Sequence, residues 1–430
     1  MQDGNEGCIS KICNKQSIVS ALPAFLLCKA TLLILALDIF LPAMKDAQYL
    51  VYPIVIRIVG LISLVLAAMF MMADINNDSL HIDAADVCFL IFMLFIVISS
   101  FINGWDSQTL FGVKYRYIGV LDLFIYIATY MYCSGRIRSD KLRDAVLMSF
   151  MTAANIIAMV CIADRIAVTI SAFEDKRSFA GMFYHGNHYG YFLSIAVTIA
   201  AGYIMIGKGK KVLIGGLSLA LNMIVMLINH TRGSMLGAGI AVIIMAIWLQ
   251  MRGKARTGKS LCVIFGFAIG VIAAFILSGR FRADMAEMTS EIILILSGTN
   301  DIYAGNGRWG IWQFVIERIG EKPFWGYGNE GIADILYDYA LTASPHNEPL
   351  TYAAFFGIPA AISYVGGVVI RIFKMLRDGR GDNTGIIAAF AAMAYFISSL
   401  FGVAMFYTAP FMFVMLGLSH RENHYGQDAL

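Results

Sequence analysis

The chain has 430 residues, 59% of them hydrophobic and 14% charged, with a formal net charge of +3. Soluble domains average about 45–50% apolar and about 25% charged residues, so this balance excludes an ordinary soluble domain. The small net charge carries no message about nucleic acid, and none is expected as a partner; what matters is where the charges fall.

Apolar runs of bilayer length recur along the whole chain. About twelve are expected as membrane-spanning helices, near 20–42, 51–73, 86–103, 117–133, 144–166, 187–206, 212–229, 234–250, 260–279, 349–370, 384–403 and 405–419. The runs are continuous and do not alternate, so the fold class is an all-α integral membrane protein. The 24 methionines and 29 phenylalanines are read as packing and lipid-facing residues. Lys11 and Lys15 precede an apolar run, Ala21 to Ala43, that is too long for a cleaved signal segment. Seven cysteines, mostly inside apolar spans, argue against a disulfide framework; Cys8 and Cys13 lack the partners a metal site needs.

Four short loops are basic: Arg136 to Arg143, Lys208 to Lys211, Arg252 to Lys259 and Arg371 to Arg380. With twelve spans they share one side with Lys11 and Lys15, the cytoplasmic side by the positive-inside rule, so both termini are expected there. The loop from Asp74 to Asp86 is the exception, with four aspartates and no Lys or Arg. Lys29 and Arg57 fall inside spans but near their ends and are expected to snorkel to the interface. Gly233 and Gly237 have the spacing that lets helices approach closely.

Two motifs are decoys. Gly253 to Ser260 fits the P-loop pattern letter for letter, but it joins two spans with no preceding strand to deliver it to phosphate. Gly326-Tyr327-Gly328-Asn329-Glu330-Gly331 fits a dinucleotide fingerprint, yet without a βαβ context it reads as a glycine turn between helices.

The one long polar interval runs from Gly298 to Leu350, on the side opposite the basic loops. A helix is expected from Asn306 or Gly307 through Arg318, placing Arg308 and Trp312 on one face. A second helix is expected over Gly331 to Tyr339. Ser344 or Asn347 would cap the next span, putting His346 at the positive end of its dipole. Smaller polar pieces on the same side include Asn103 to Tyr117, Ser171 to His188, and Asn229 to Gly233. Each of these residues has a plain reading as interfacial Arg, loop His or belt Trp; their convergence on one side at helix ends argues for a site.

Four motifs in order resemble the O-antigen ligase and O-antigen polymerase family of bacterial membrane glycosyltransferases. They are Thr231-Arg232-Gly233-Ser234; Gly307-Arg308-Trp309-Gly310-Ile311-Trp312; Glu321 to Gly328, which includes Trp325; and His346-Asn347-Glu348-Pro349-Leu350 followed by Phe356-Gly357-Ile358. Tyr115 to Gly119 and Phe183 to Asn187 are similar to upstream family features, and Pro349 departs from the larger apolar residue expected there. The resemblance divides the chain into N-terminal helices, 1–186; a ligase/polymerase-like core, 187–370, with an outer loop near 280–348; and C-terminal helices, 371–430.

The resemblance implies a glycosyltransferase C-type fold in the bacterial cytoplasmic membrane, with its site at the outer face. It implies that Arg232 and Arg308 bind the diphosphate of an undecaprenyl-diphosphate-linked glycan, since guanidinium is planar, always charged and bidentate toward phosphate. His346 would be the general base for an acceptor hydroxyl on a glycan, lipid, protein or wall polymer. Arg116, Asn187, Trp309, Trp312, Trp325 and Asn347 would contact substrate. The reaction would be inverting, with no metal or other cofactor. A polysaccharide transporter or flippase, or a non-catalytic assembly scaffold, are the rival readings; a transporter predicts interrupted helices and charges near the midplane.

Overall fold

The computed structural model describes residues 19–40, 48–77, 81–113, 116–170, 183, 185–297, 307–340, 342–378, 382–403 and 406–418. Lys11, Lys15, Cys8, Cys13, Tyr115, Tyr184 and Asn306 lie outside them. The described residues form seventeen helices and no strand. They are α1 (Leu22–Phe40), α2 (Gln48–Asn76), α3 (Ala84–Asn103), α4 (Ser107–Phe111), α5 (Val120–Arg136), α6 (Asp140–Ile170), α7 (Gly186–Ile206), α8 (Lys210–Asn229) and α9 (Arg232–Met251). There follow α10 (Thr257–Leu277), α11 (Gly279–Leu296), α12 (Arg308–Glu321), α13 (Ala333–Ala340), α14 (Glu348–Phe356), α15 (Ile358–Asp378), α16 (Asn383–Ser399) and α17 (Ala409–Gly417).

Eight of these helices, α2, α3, α6 to α10 and α15, are long and apolar enough to cross a membrane; α1 and α16 carry shorter apolar stretches. The chain is a multi-pass membrane protein. The expected fourth and twelfth spans, α5 and α17, run only 17 and 9 residues as described. The expected span 349–370 is not continuous. Gly357 adopts φ +92° and splits it into α14 and α15. A Cβ there would meet the Phe324 carbonyl oxygen at 2.2 Å, so this position requires glycine.

The helix α7 lies at the centre, almost wholly buried, packed against α8, α9 and α16. At the rim, α10 is almost wholly exposed, as a lipid-facing helix must be. The crossing of α9 and α16 is close because Gly237 has no side chain: a Cβ would meet Ser398 Oγ at 2.2 Å and the Ala394 carbonyl oxygen at 2.5 Å.

Polar contacts separate into two ends. At one end, Arg136 pairs with Asp74 at 2.8 Å, and Asp83 accepts from Arg371 at 3.0 Å and Lys374 at 2.8 Å. Arg143 pairs with Asp140 and with Asp382, and Lys211 with Asp144 at 2.8 Å. Lys259 donates to the Gly207 carbonyl at 2.7 Å. The loops after α2, α5, α7, α9 and α15 therefore gather on one face. The acidic loop belongs there because its carboxylates neutralise the basic loops' cations. Burial works against ionisation of Asp83, but the Lys374 hydrogen bond and the Arg371 charge outweigh it and hold the carboxyl down at about 2.

Arg57 does not snorkel. Its guanidinium bonds both oxygens of Asp122 at 2.9 Å and the carbonyls of Phe111 (2.6 Å) and Tyr117 (2.9 Å). The physical reason is that Asp122 and the two carbonyls together satisfy the planar guanidinium within the fold. Arg57 thereby anchors the 111–122 segment at the opposite, polar end. Lys29 is exposed along α1.

Candidate active site

Helix-breaking geometry builds the polar end. All four described non-glycine residues with positive φ lie there: Tyr117 (54°), His230 (58°), Glu330 (63°) and His346 (53°). Such conformations cost on the order of 1–3 kcal/mol each and persist where surrounding contacts over-determine them.

The contacts that hold His346 are specific. Trp312, on the first turns of α12, donates Nε1–H to the Pro345 carbonyl at 2.8 Å. Arg116 donates to the Ala343 carbonyl and pairs with Glu330 at 2.6 Å. Asn347 caps α14, accepting from the Leu350 N–H at 2.9 Å while its amide donates to the Leu400 carbonyl at 3.1 Å. Pro349 falls in the first turn of α14, where a missing N–H costs nothing, so the family departure is absorbed by the helix start. Beneath this loop Glu348 is fully buried, and Tyr352 and Tyr364 donate to its Oε1 at 3.0 and 2.9 Å.

The Thr342 hydroxyl lies 3.3 Å from both the Ser344 carbonyl oxygen and His346 Nε2, and His346 Nδ1 is buried without a protein partner. Burial first, then the charges of Arg308, His185 and Arg116, hold the imidazole down at about 4. It is neutral at physiological pH and able to accept a proton.

The same electrostatic coupling shows what stands near His346: Arg308, His185 and Arg116. Arg308 opens α12 beside the left-handed Gly307. His185 caps α7, its Nδ1 accepting from the Asn187 backbone N–H at 3.1 Å, and burial lowers its pKa as well. The Gly186 carbonyl accepts from Asn229 (3.0 Å) and Thr231 (3.2 Å), tying the 185–187 turn to the start of α9, where Arg232 stands. Arg232 itself pairs with Glu287 of α11.

The expected site residues thus separate. His346, Arg308 and Arg116 are brought together, with Trp312 bound to the same loop. Arg116, Trp312 and Asn347 use their polar groups to hold protein backbone. Asn187 lies half-buried in the first turn of α7 and Trp309 half-buried in the first turn of α12. Trp325 stacks on Phe95 of α3 at 5.8 Å, 41% exposed, on the side of the 323–328 turn that faces that helix. The turn itself is sewn to the break after α14 by Tyr327 and Gly328 N–H donating to the Ala354 and Phe355 carbonyls, both at 2.9 Å. The fingerprint Gly326 to Gly331 is therefore a turn between α12 and α13.

Sequence reasoning did not place His185, Thr342, Glu330 or Glu348 among the site residues. His185 and Glu348 stand inside family-like motifs and Glu330 inside the Gly326 to Gly331 turn, while nothing local marks Thr342. Among the described residues no three His, Cys, Asp or Glu side chains gather closely enough to hold a metal ion.

Residues 217–365 match the family model described as O-antigen ligase. The match takes in the α9 start, α12, the His346 loop and the first turns of α15. A search of curated proteins found no match to the chain.

Proposed function

The chain carries an O-antigen ligase domain in a multi-pass helical membrane protein, and from that premise we propose that it transfers a glycan from an undecaprenyl-diphosphate carrier to an acceptor hydroxyl at the outer membrane face. The acceptor oxygen attacks the anomeric carbon. That new C–O bond forms as the bond to the diphosphate breaks, and its electron pair leaves with the phosphate. The proton goes to the His346 imidazole. Attack opposite the leaving group inverts the anomeric centre, and no metal is needed.

Arg308 and Arg232 bind the diphosphate, whose charge grows as the bond breaks, so fixed cations there lower the barrier most. Arg116, Trp312 and Asn347 hold the base loop, and Trp309 offers a ring face to sugar. The observation that carries this reading is a neutral histidine within the field of Arg308, inside the family-matched segment. The product is a surface polysaccharide, by polymerisation of lipid-linked repeats or by ligation of a finished chain.

The test is a gel profile of surface and lipid-linked polysaccharide in a deletion strain complemented with wild type or His346→Ala. Wild type should restore the profile and His346→Ala should not, with purified turnover falling about 10²–10⁴-fold. Accumulated single lipid-linked repeats would mean a polymerase; accumulated long lipid-linked chains, a ligase. Equal restoration by both proteins would remove His346 from the mechanism.

A further inference from the structure

The decoy P-loop has a use of its own. Its expected phosphate-binding residues are spent on protein. Lys259 donates to the Gly207 carbonyl, Ser260 Oγ accepts from Gln250 Nε2 at 3.0 Å, and Thr257 donates to Gln250 Oε1 at 3.2 Å. The residues just before them are arranged differently. A cavity of about 250 Å³ opens at the basic-loop end, lined by Trp248, Arg252, Lys254 and Leu376. It lies where the last turn of α9 meets the last turn of α15.

We infer that this cavity is a phosphate-ester site that seats the head group of an anionic phospholipid. Arg252 stands over the Trp248 ring at 5.4 Å, a cation–π contact that holds the guanidinium at the cavity wall. Lys254 brings a second cation, its Nζ 3.5 Å from Asn383 Oδ1. Asp382 acts electrostatically on Lys254 and also pairs with Arg143 at 3.1 Å and accepts from the Thr384 hydroxyl at 2.7 Å, so one carboxylate is shared among several donors.

Its apolar wall favours a lipid over a soluble phosphate. Ile244, one turn before Trp248 on α9, is 40% exposed, and Phe373, one turn before Leu376 on α15, is 69% exposed. Acyl chains lying along those faces leave the phosphate at the level of Arg252 and Lys254. Basic pockets between spans are the places where anionic head groups seat. The inference does not rest on the transferase reading, because the site lies at the opposite end of the helices.

The test uses the full-length protein in phosphatidylcholine nanodiscs doped with phosphatidylglycerol, with retained lipid counted by native mass spectrometry. Wild type should retain phosphatidylglycerol. The double variant Arg252→Gln/Lys254→Gln should lose retention about tenfold, and Arg256→Gln, in the same loop but outside the cavity, should not. Parallel arms add inorganic phosphate or ATP. Displacement of the lipid by either, lost in the double variant, would keep the phosphate site and make its source soluble. Equal retention by wild type and the double variant would overturn the site. Should the double variant not fold, wild type and Trp248→Phe are compared with acyl-brominated lipids. Stronger quenching of Trp248 by brominated phosphatidylglycerol than by brominated phosphatidylcholine supports the site; equal quenching overturns it.

Discussion

His346 combines a strained backbone and a depressed pKa, and each has a separate cause. The left-handed φ comes from the turn between the Trp312–Pro345 contact and the Asn347 cap. The pKa comes from burial and neighbouring cations. An ordinary histidine titrates near 6.5. With the imidazole held at about 4, the base in the proposed transfer stays deprotonated well below neutrality, so kcat/KM should remain flat down to about pH 5 and fall only toward pH 4. The bound diphosphate is an anion and raises the imidazole's pKa, so the acid limb of kcat should lie higher than that of kcat/KM. A pH–rate profile of the purified protein checks both limbs; an acid limb of kcat/KM at 6.5 would contradict the buried, cation-flanked histidine. Thr342→Val removes the hydroxyl that contacts His346 Nε2 at 3.3 Å and so loosens the ring's orientation. It should lower kcat/KM on the order of tenfold, less than loss of the imidazole, and Thr342→Ser should restore it. The histidine and both arginines were legible in the sequence as motifs; Thr342 was not, because its role exists only through the turn that folds it back.

At the scale of elements, α11 stands over the arginine that opens α9. Glu287 occupies Arg232 as a phosphate group would, and the pair is partly exposed. Glu287→Gln removes a charge that competes with the donor's diphosphate. Because an exposed pair is worth about 0.2–1 kcal/mol, the donor KM should fall by about 1.4- to fivefold with kcat nearly unchanged. Steady-state kinetics with varied donor measures this, and a raised KM would mean that Glu287 positions Arg232. The α12 start and the Asn347 cap were legible because capping and glycine turns are local chemistry. The break at Gly357 was not. It exists because the 323–328 turn docks there: the Pro323 carbonyl accepts from the Ile358 N–H at 2.7 Å, a contact between residues far apart in sequence. The same holds for Arg57, whose partner Asp122 lies three helices onward.

Across the whole molecule, the two polar ends do different work. The basic-loop end is a lock of buried charges. Arg371 is fully buried, donating to Asp83 and to the Leu416 carbonyl at 3.0 Å, and Arg143 is almost as enclosed. Removing one partner of such a pair strands the other, at a cost of about 3–5 kcal/mol. Arg371→Met should therefore lower the thermal unfolding midpoint in detergent by several degrees. Asp83→Asn in the same chain should recover part of the loss, which a double-mutant cycle measures. The stabilisation by Asp83 itself is present above the ordinary carboxylate range and is lost as pH falls through about 2, since its folded pKa is depressed. The opposite end carries the histidine, the arginines and the strained turns, so the candidate site and the anchorage are separated by the length of the helices.

The sequence by itself determined that this is a helical membrane protein, that its basic loops share one side, and that Arg232, Arg308 and His346 belong to motifs of the O-antigen ligase kind. These follow from composition, period and short motifs, which act over a few residues. Only the tertiary structure decided that Arg116, Trp312 and Asn347 hold the histidine loop, and that Trp325 packs on α3. It also decided that the acidic loop is a counterion to the basic ones, and that a P-loop spelling leaves a cavity between α9 and α15. Each depends on a partner distant in sequence, and hydrophobic pattern and local propensity carry no information about which distant groups will meet.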